Sequence, residues 1–133
     1  MDYTQRAVES ILENEALTAD LDDQAASLLL DWAMSLAKQA AQGVAGMDEA
    51  SAEEQFNERM RNVRQFIRQV NRWASTAEEP ALGKALELAA PFYAQRLGAA
   101  DTSRMQGFRS ETGQLNQPAE RIRSLRRLLE GQA

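Results

Sequence analysis

The sequence predicts an all-α fold: an antiparallel bundle of four main helices, with a short C-terminal amphipathic helix carried on a long loop. Three observations point there. Ala, Glu, Lys, Leu and Arg supply 66 of the 133 residues, whereas Val, Ile and Thr supply only 12. Unbranched side chains lose little rotamer freedom in a helix, so this balance favours helix over strand. Apolar residues recur at spacings of three and four through most of the chain, which is the period of one helix face. The connections at 16–19 and 75–79 are short, and short connections join antiparallel neighbours.

The first helix is expected at 2–15. Asp2 can cap it, with Gln5 three residues on, and Val8, Ile11 and Leu12 form a narrow apolar stripe. The second helix is expected from Thr18 or Asp20 to the glycines at 43 and 46. Asp20, Asp22 and Asp23 fall in its first turn, where the helix dipole favours negative charge. Leu21, Ala25, Leu28, Trp32 and Leu36 make one face. Leu30, Met34, Ala37 and Ala41 make a second, opposite one.

The third helix is expected at 51–75, with Ser51 and Glu54 as a capping box. Phe56, Met60, Val63, Ile67, Val70 and Ala74 follow at alternating steps of four and three, the cleanest heptad-like pattern in the chain. The fourth helix opens at Pro80, a favoured first helical residue, and closes at Gly98. Its apolar side is broad, with Leu82, Leu86, Ala89, Tyr93 and Leu97 beside Ala81, Ala85, Leu88 and Phe92. Pro91 falls inside this pattern and should kink or break it, because proline cannot donate the backbone hydrogen bond.

Residues 98–117 carry no helical period and are read as a loop. A last helix opens at Pro118 and runs to about residue 130, with Ile122, Leu125 and Leu129 on one side and four Arg on the rest. The expected organisation is a bundle over 1–97, a loop or linker over 98–117 and a basic amphipathic helix over 118–133.

Composition excludes several chemistries. The chain has no His and no Cys. Zinc sites of Cys and His, thiol nucleophiles, Ser-His-Asp triads and disulfides are therefore absent. The glycines form no phosphate-loop spacing. Asp20, Asp22 and Asp23 fail as a calcium loop, because position six would be Ala25 and position twelve Asp31. No catalytic, metal or cofactor residue is assigned, and the chain is expected not to be an enzyme. No stretch is long and apolar enough to span a bilayer. The N-terminal residues lack the basic and apolar pattern of a secretory signal, so a cytoplasmic location is expected.

Charge is unevenly placed. Net charge is −5, but residues 1–55 hold twelve acids and two bases, and residues 56–133 hold eight acids and thirteen bases. On the third helix Arg61, Arg64, Arg68 and Arg72 share one narrow sector. Arg123, Arg126 and Arg127 crowd the last helix. Arg grips planar anions through parallel hydrogen bonds, so these seven residues are the candidate surface for an acidic partner or a polyanion. A helix that is apolar on two sides needs cover on both. Leu30, Met34, Ala37, Ala41, Leu88 and Phe92 are therefore the candidate homodimer or partner interface. The expected function is a small adaptor, assembly factor or regulator acting through protein contacts. The alternative is a nucleic-acid-associated protein using the Arg-rich helix face, which an acidic pI near 4.8 disfavours.

Overall fold

The computed structural model describes residues 2–93 and 102–131. It is an all-α bundle, and no strand occurs among the described residues. The helices are α1 (Tyr3–Leu12), α2 (Asp23–Gln42), α3 (Glu49–Thr76), α4 (Glu79–Leu88), α5 (Thr102–Gly113) and α6 (Pro118–Glu130), with a 3₁₀ turn at Glu15–Thr18.

Caps set most of the boundaries. Asp2 accepts from the Gln5 amide at 3.1 Å, as its position predicts. Asp22, not Asp20 or Thr18, caps α2, accepting from the Ala25 amide at 2.8 Å. Asp20 is drawn away to α3, where it exchanges two hydrogen bonds with Asn71. Asp48 caps α3, so this helix starts before the expected Ser51–Glu54 box; the Ser51 amide and hydroxyl both donate to Asp48. A short Asx side chain three residues ahead satisfies the free amides better than Ser51 could from inside the turn.

The helix termini also show where sequence period misleads. The helix α1 ends at Leu12, and Leu12 is 57% exposed rather than part of a buried stripe. The buried pair is Ala7 and Ile11, one helical turn apart. The helix α3 ends with Ala77 in the left-handed region at φ 60°. The C-cap of α2 is Gly43, where the Arg59 guanidinium lies in the space a Cβ would need. Pro91 splits the expected fourth helix. Its ring nitrogen cannot donate to Glu87, so α4 ends at Leu88, and helical backbone resumes over residues 90–93. Leu97 and Gly98, the expected end of that helix, lie outside the described residues.

Residues 102–113 correct the expected loop, for they form α5. This helix has no apolar stripe, which is why no period announces it. Its anchorage comes from Phe108, buried and 6.0 Å from the Trp73 ring; Thr112 is buried too, its hydroxyl donating back to the Phe108 carbonyl within the helix.

Packing centres on α2, which touches α1, α3 and α6. The helix α3 packs in turn on α4, on the 3₁₀ turn and on α6. Trp32 and Phe66 are fully buried and meet edge to face at 5.3 Å, with Phe92 6.0 Å beyond. Each such large side chain contributes roughly 1.5–3 kcal/mol of burial. Two polar clasps hold the outer helices. Arg6 of α1 grips Glu53 of α3 through bonds of 2.7 and 2.8 Å and lies over the Phe56 ring. Arg126 of α6 reaches Asp31 of α2 at 2.9 Å and Glu130 at 3.0 Å. No helix among the described residues is long and apolar enough to cross a membrane.

Candidate anion-binding face

The helix α3 carries its charge in two blocks. Glu49, Glu53, Glu54 and Glu58 fill its first ten residues, and Arg59, Arg61, Arg64, Arg68 and Arg72 follow. That order complements the helix dipole, but the dipole acts only within the first and last turns. It does not account for Arg61 and Arg64, which stand mid-helix.

Arg61, Arg64, Arg68 and Arg72 do share one face, as their spacing predicts. Arg61, Arg68 and Arg72 are exposed, and Arg64 is half-buried against α1. Arg64 donates to the Ser10 hydroxyl at 3.1 Å. Among the described residues, no carboxylate lies within ion-pair distance of any of the four. The acidic first half of the chain therefore does not neutralise this ridge by direct contact. Burial, and then the Arg68 and Arg61 charges, lower the Arg64 guanidinium below its ordinary value. The ridge is thus a cluster of like charges whose most buried member makes no ion pair among the described residues.

The Arg residues of α6 differ from those of α3 in having acids beside them. Arg126 is committed to Asp31 and Glu130 and sits 5.9 Å from the Trp32 ring centroid. Arg127 lies 3.7 Å from Glu111. Only Arg123 is exposed and without an ion pair among the described residues. An acid one turn away, or across the helix interface, takes up a cation that the sequence alone leaves open.

The candidate apolar interface is also corrected in part. Ala37 and Ala41 are buried within the chain, at 0% and 4% exposure. The neighbours of α2, namely α1, α3 and α6, enclose these two, so they offer no surface to another copy. Leu30, Met34, Leu88 and Phe92 are half-buried and pack against the core.

Two structural residues escaped sequence reasoning. Arg121 bridges the C-terminal end of α3 to the loop before α6, donating to the Ala74 carbonyl at 2.7 Å and to the Leu115 carbonyl at 2.8 Å. Tyr93 accepts from the Trp32 indole at 2.8 Å and donates to Glu130 at 3.4 Å. Burial pushes the Tyr93 phenol from its ordinary 10.0 up to about 12. The bonds of Arg121 to Ala74 and of Tyr93 to Trp32 and Glu130 have no local pattern, because each joins residues far apart in the chain.

A groove of 290 Å³ opens beside the ridge, between α1 and α3. Phe56 and Met60 form its floor, Asn57 and Arg64 line the α3 side, and Glu9 and Glu13 line the α1 side. Arg6 stands at the groove as well, held by Glu53.

Comparison with protein-family models, with curated proteins and with solved structures gives no match. A helical bundle alone does not fix a function, so the functional reading rests on the geometry of this face.

Proposed function

We propose that this chain is a non-catalytic, cytoplasmic binding module, an adaptor, assembly factor or regulator, that docks an acidic protein segment on the Arg face of α3. The observation that carries the reading is Arg64. A half-buried cation with two like charges beside it and no ion pair among the described residues is costly to hold. An acidic partner relieves that cost on binding. Its carboxylates can take the guanidinium N–H groups that Ser10 leaves free, through short charge-assisted hydrogen bonds.

Protein fits better than nucleic acid. Net charge of −5 repels a phosphate backbone at long range. The ridge also has no aromatic side chain among its Arg residues on which a base could stack. Self-association through α2 retains only the half-buried Leu30, Met34, Leu88 and Phe92 as support, and the reading does not depend on it.

The test compares tagged wild-type protein with the Arg61→Glu/Arg68→Glu variant in lysate of the source organism, with and without nuclease. The expected result is one acidic protein retained by the wild type in both lysates and lost by the variant. Identical captures from the two proteins would overturn the reading. Capture only of nuclease-sensitive material would favour nucleic acid instead.

A further inference from the structure

The Arg ridge shares its side of the bundle with an acidic edge. Between Arg6 and Lys38 the chain has seven acids and no base, and between Glu58 and Trp73 it has five Arg and no acid. Two hydrogen bonds lay these stretches side by side, Arg64 to Ser10 at 3.1 Å and Asn71 to Asp20 at 3.0 Å. Glu9 and Glu13, on either side of Ser10 in the chain, form the far wall of the recess that Arg64 lines. Yet none of Glu9, Glu13, Arg61, Arg64 and Arg68 makes an ion pair among the described residues. Glu9 accepts a neutral bond from the Gln5 side chain at 3.1 Å.

Resting on the reading of an acidic protein partner, we infer that the acidic segment is that of a second copy of this chain. Two copies pair face to face, the Arg edge of each against the Glu9 and Glu13 edge of the other.

Symmetry makes this face complementary to itself. A twofold axis along α3 exchanges the two edges and leaves heights along the helix unchanged. A residue level with Arg64 in its own chain is then level with Arg64 of the other copy. Ser10 is such a residue, so Glu9 and Glu13 of one copy meet Arg61, Arg64 and Arg68 of the other. A twofold across α3 in the same plane sets Arg against Arg and is disfavoured by repulsion. The contact is isologous, so it closes at two copies.

Charge, not apolar area, drives this pairing. Glu9, Glu13, Arg61 and Arg68 are exposed, and each exposed pair contributes little. The dimer is accordingly weak, populated at high micromolar concentration and sensitive to salt. Net charge of −5 does not forbid it. Salt near 0.1 M screens charges beyond about 10 Å, whereas the two edges meet at contact distance. The dimer brings to Arg64 the carboxylates that its own chain holds across the recess.

Charge swaps provide the test, read by sedimentation velocity of the full chain from 10 to 500 μM in 0.1 M salt. The wild type should pass from monomer to dimer over this range. In 1 M salt, where the screening length falls to about 3 Å, the association should weaken by about tenfold or more. Arg61→Glu with Arg68→Glu makes both edges acidic, and Glu9→Lys with Glu13→Lys makes both basic. Each variant alone should stay monomeric. Mixed in equal amounts, they should form a one-to-one heterodimer at least as tight as the wild-type dimer. The milder Arg61→Gln with Arg68→Gln should weaken the wild-type dimer without any mixing, which keeps the test valid if a charge swap prevents folding. A wild type that is monomeric throughout, folded variants that stay monomeric when mixed, or a dimer that no variant disrupts would each overturn the inference. Species larger than a dimer would overturn the twofold. Oligo-glutamate bound by a monomeric wild type and not by Arg61→Glu/Arg68→Glu would leave the acidic-partner reading intact. A monomer that does not bind oligo-glutamate would overturn both.

Discussion

Arg64 donates to the Ser10 hydroxyl at 3.1 Å, and this one neutral bond is what the fold provides for a half-buried guanidinium flanked by Arg61 and Arg68. Arg64 also lines the recess between α1 and α3. On the proposed reading, a residue held this way lowers the stability of the free protein and favours an anionic partner. Such opposition between stability and function is common at binding surfaces.

The first prediction concerns stability. Arg61→Gln with Arg68→Gln removes two like charges beside Arg64. Urea unfolding should show a gain of about 0.5 kcal/mol at low salt, the scale of like-charge repulsion at helical spacing. The gain should shrink in 0.5 M salt. A loss of stability would mean that these guanidinium groups have counterions.

The polar clasp of α6 gives the second. Arg126→Ala breaks the contacts to Asp31 and Glu130 and uncovers the Trp32 ring. Both ion pairs are partly solvated, so the cost should be about 1 kcal/mol rather than several. Trp32 emission should also shift, because its indole bonds Tyr93 in the same network. Arg123→Ala, exposed on the same helix, should leave stability and emission unchanged.

Backbone conformation gives the third. Ala77 sits at φ 60°, where an L side chain is strained. Ala77→Gly should stabilise the chain by about 1 kcal/mol, raising Tm by roughly 3 °C. An unchanged or lower Tm would show that α3 does not end in this cap.

The fourth concerns pH. The Arg6 guanidinium holds the Glu53 carboxyl below its ordinary value, and hydrogen bonds from the Ser51 amide and hydroxyl do the same for Asp48. A depressed carboxyl contributes stability in full above its ordinary value, about 4, and loses it as pH falls through the lowered one. Stability should therefore decline from about pH 4 downward, and Glu53→Gln should flatten that slope. The half-buried Tyr93 phenol is raised from 10.0 to about 12. Its contribution is complete below pH 10.0 and is lost as pH climbs toward about 12. Tyr93→Phe should remove this alkaline limb.

Much of the bundle was legible because local chemistry agrees with it. The stripe from Phe56 to Ala74 on α3 is buried as its spacing predicts. Asp2 and Pro118 open helices where expected. The errors have physical causes. The helix α5 has no amphipathic period, since Phe108 and Thr112 are its only buried side chains among those described. The starts of α2 and α3 moved because Asp22 and Asp48 cap better than the residues chosen from pattern alone. For the candidate site, sequence placed four Arg on one face of α3 but could not see whether acids of the first helix reach them. Nor does spacing show that Asp31, Glu130 and Glu111 stand beside Arg126 and Arg127 in space. Pairing across helices is set by packing, which no spacing rule contains.

The most direct measurement of the central claim is an NMR titration that follows the Arg Nε–H signals while oligo-glutamate is added at low salt. Arg61, Arg64 and Arg68 should shift together and saturably, Arg64 most because it begins half-buried. Arg121 and Arg126, engaged within the fold, should stay in place. Shifts centred on Arg123 and Arg127, or no shift at the α3 ridge, would contradict the account.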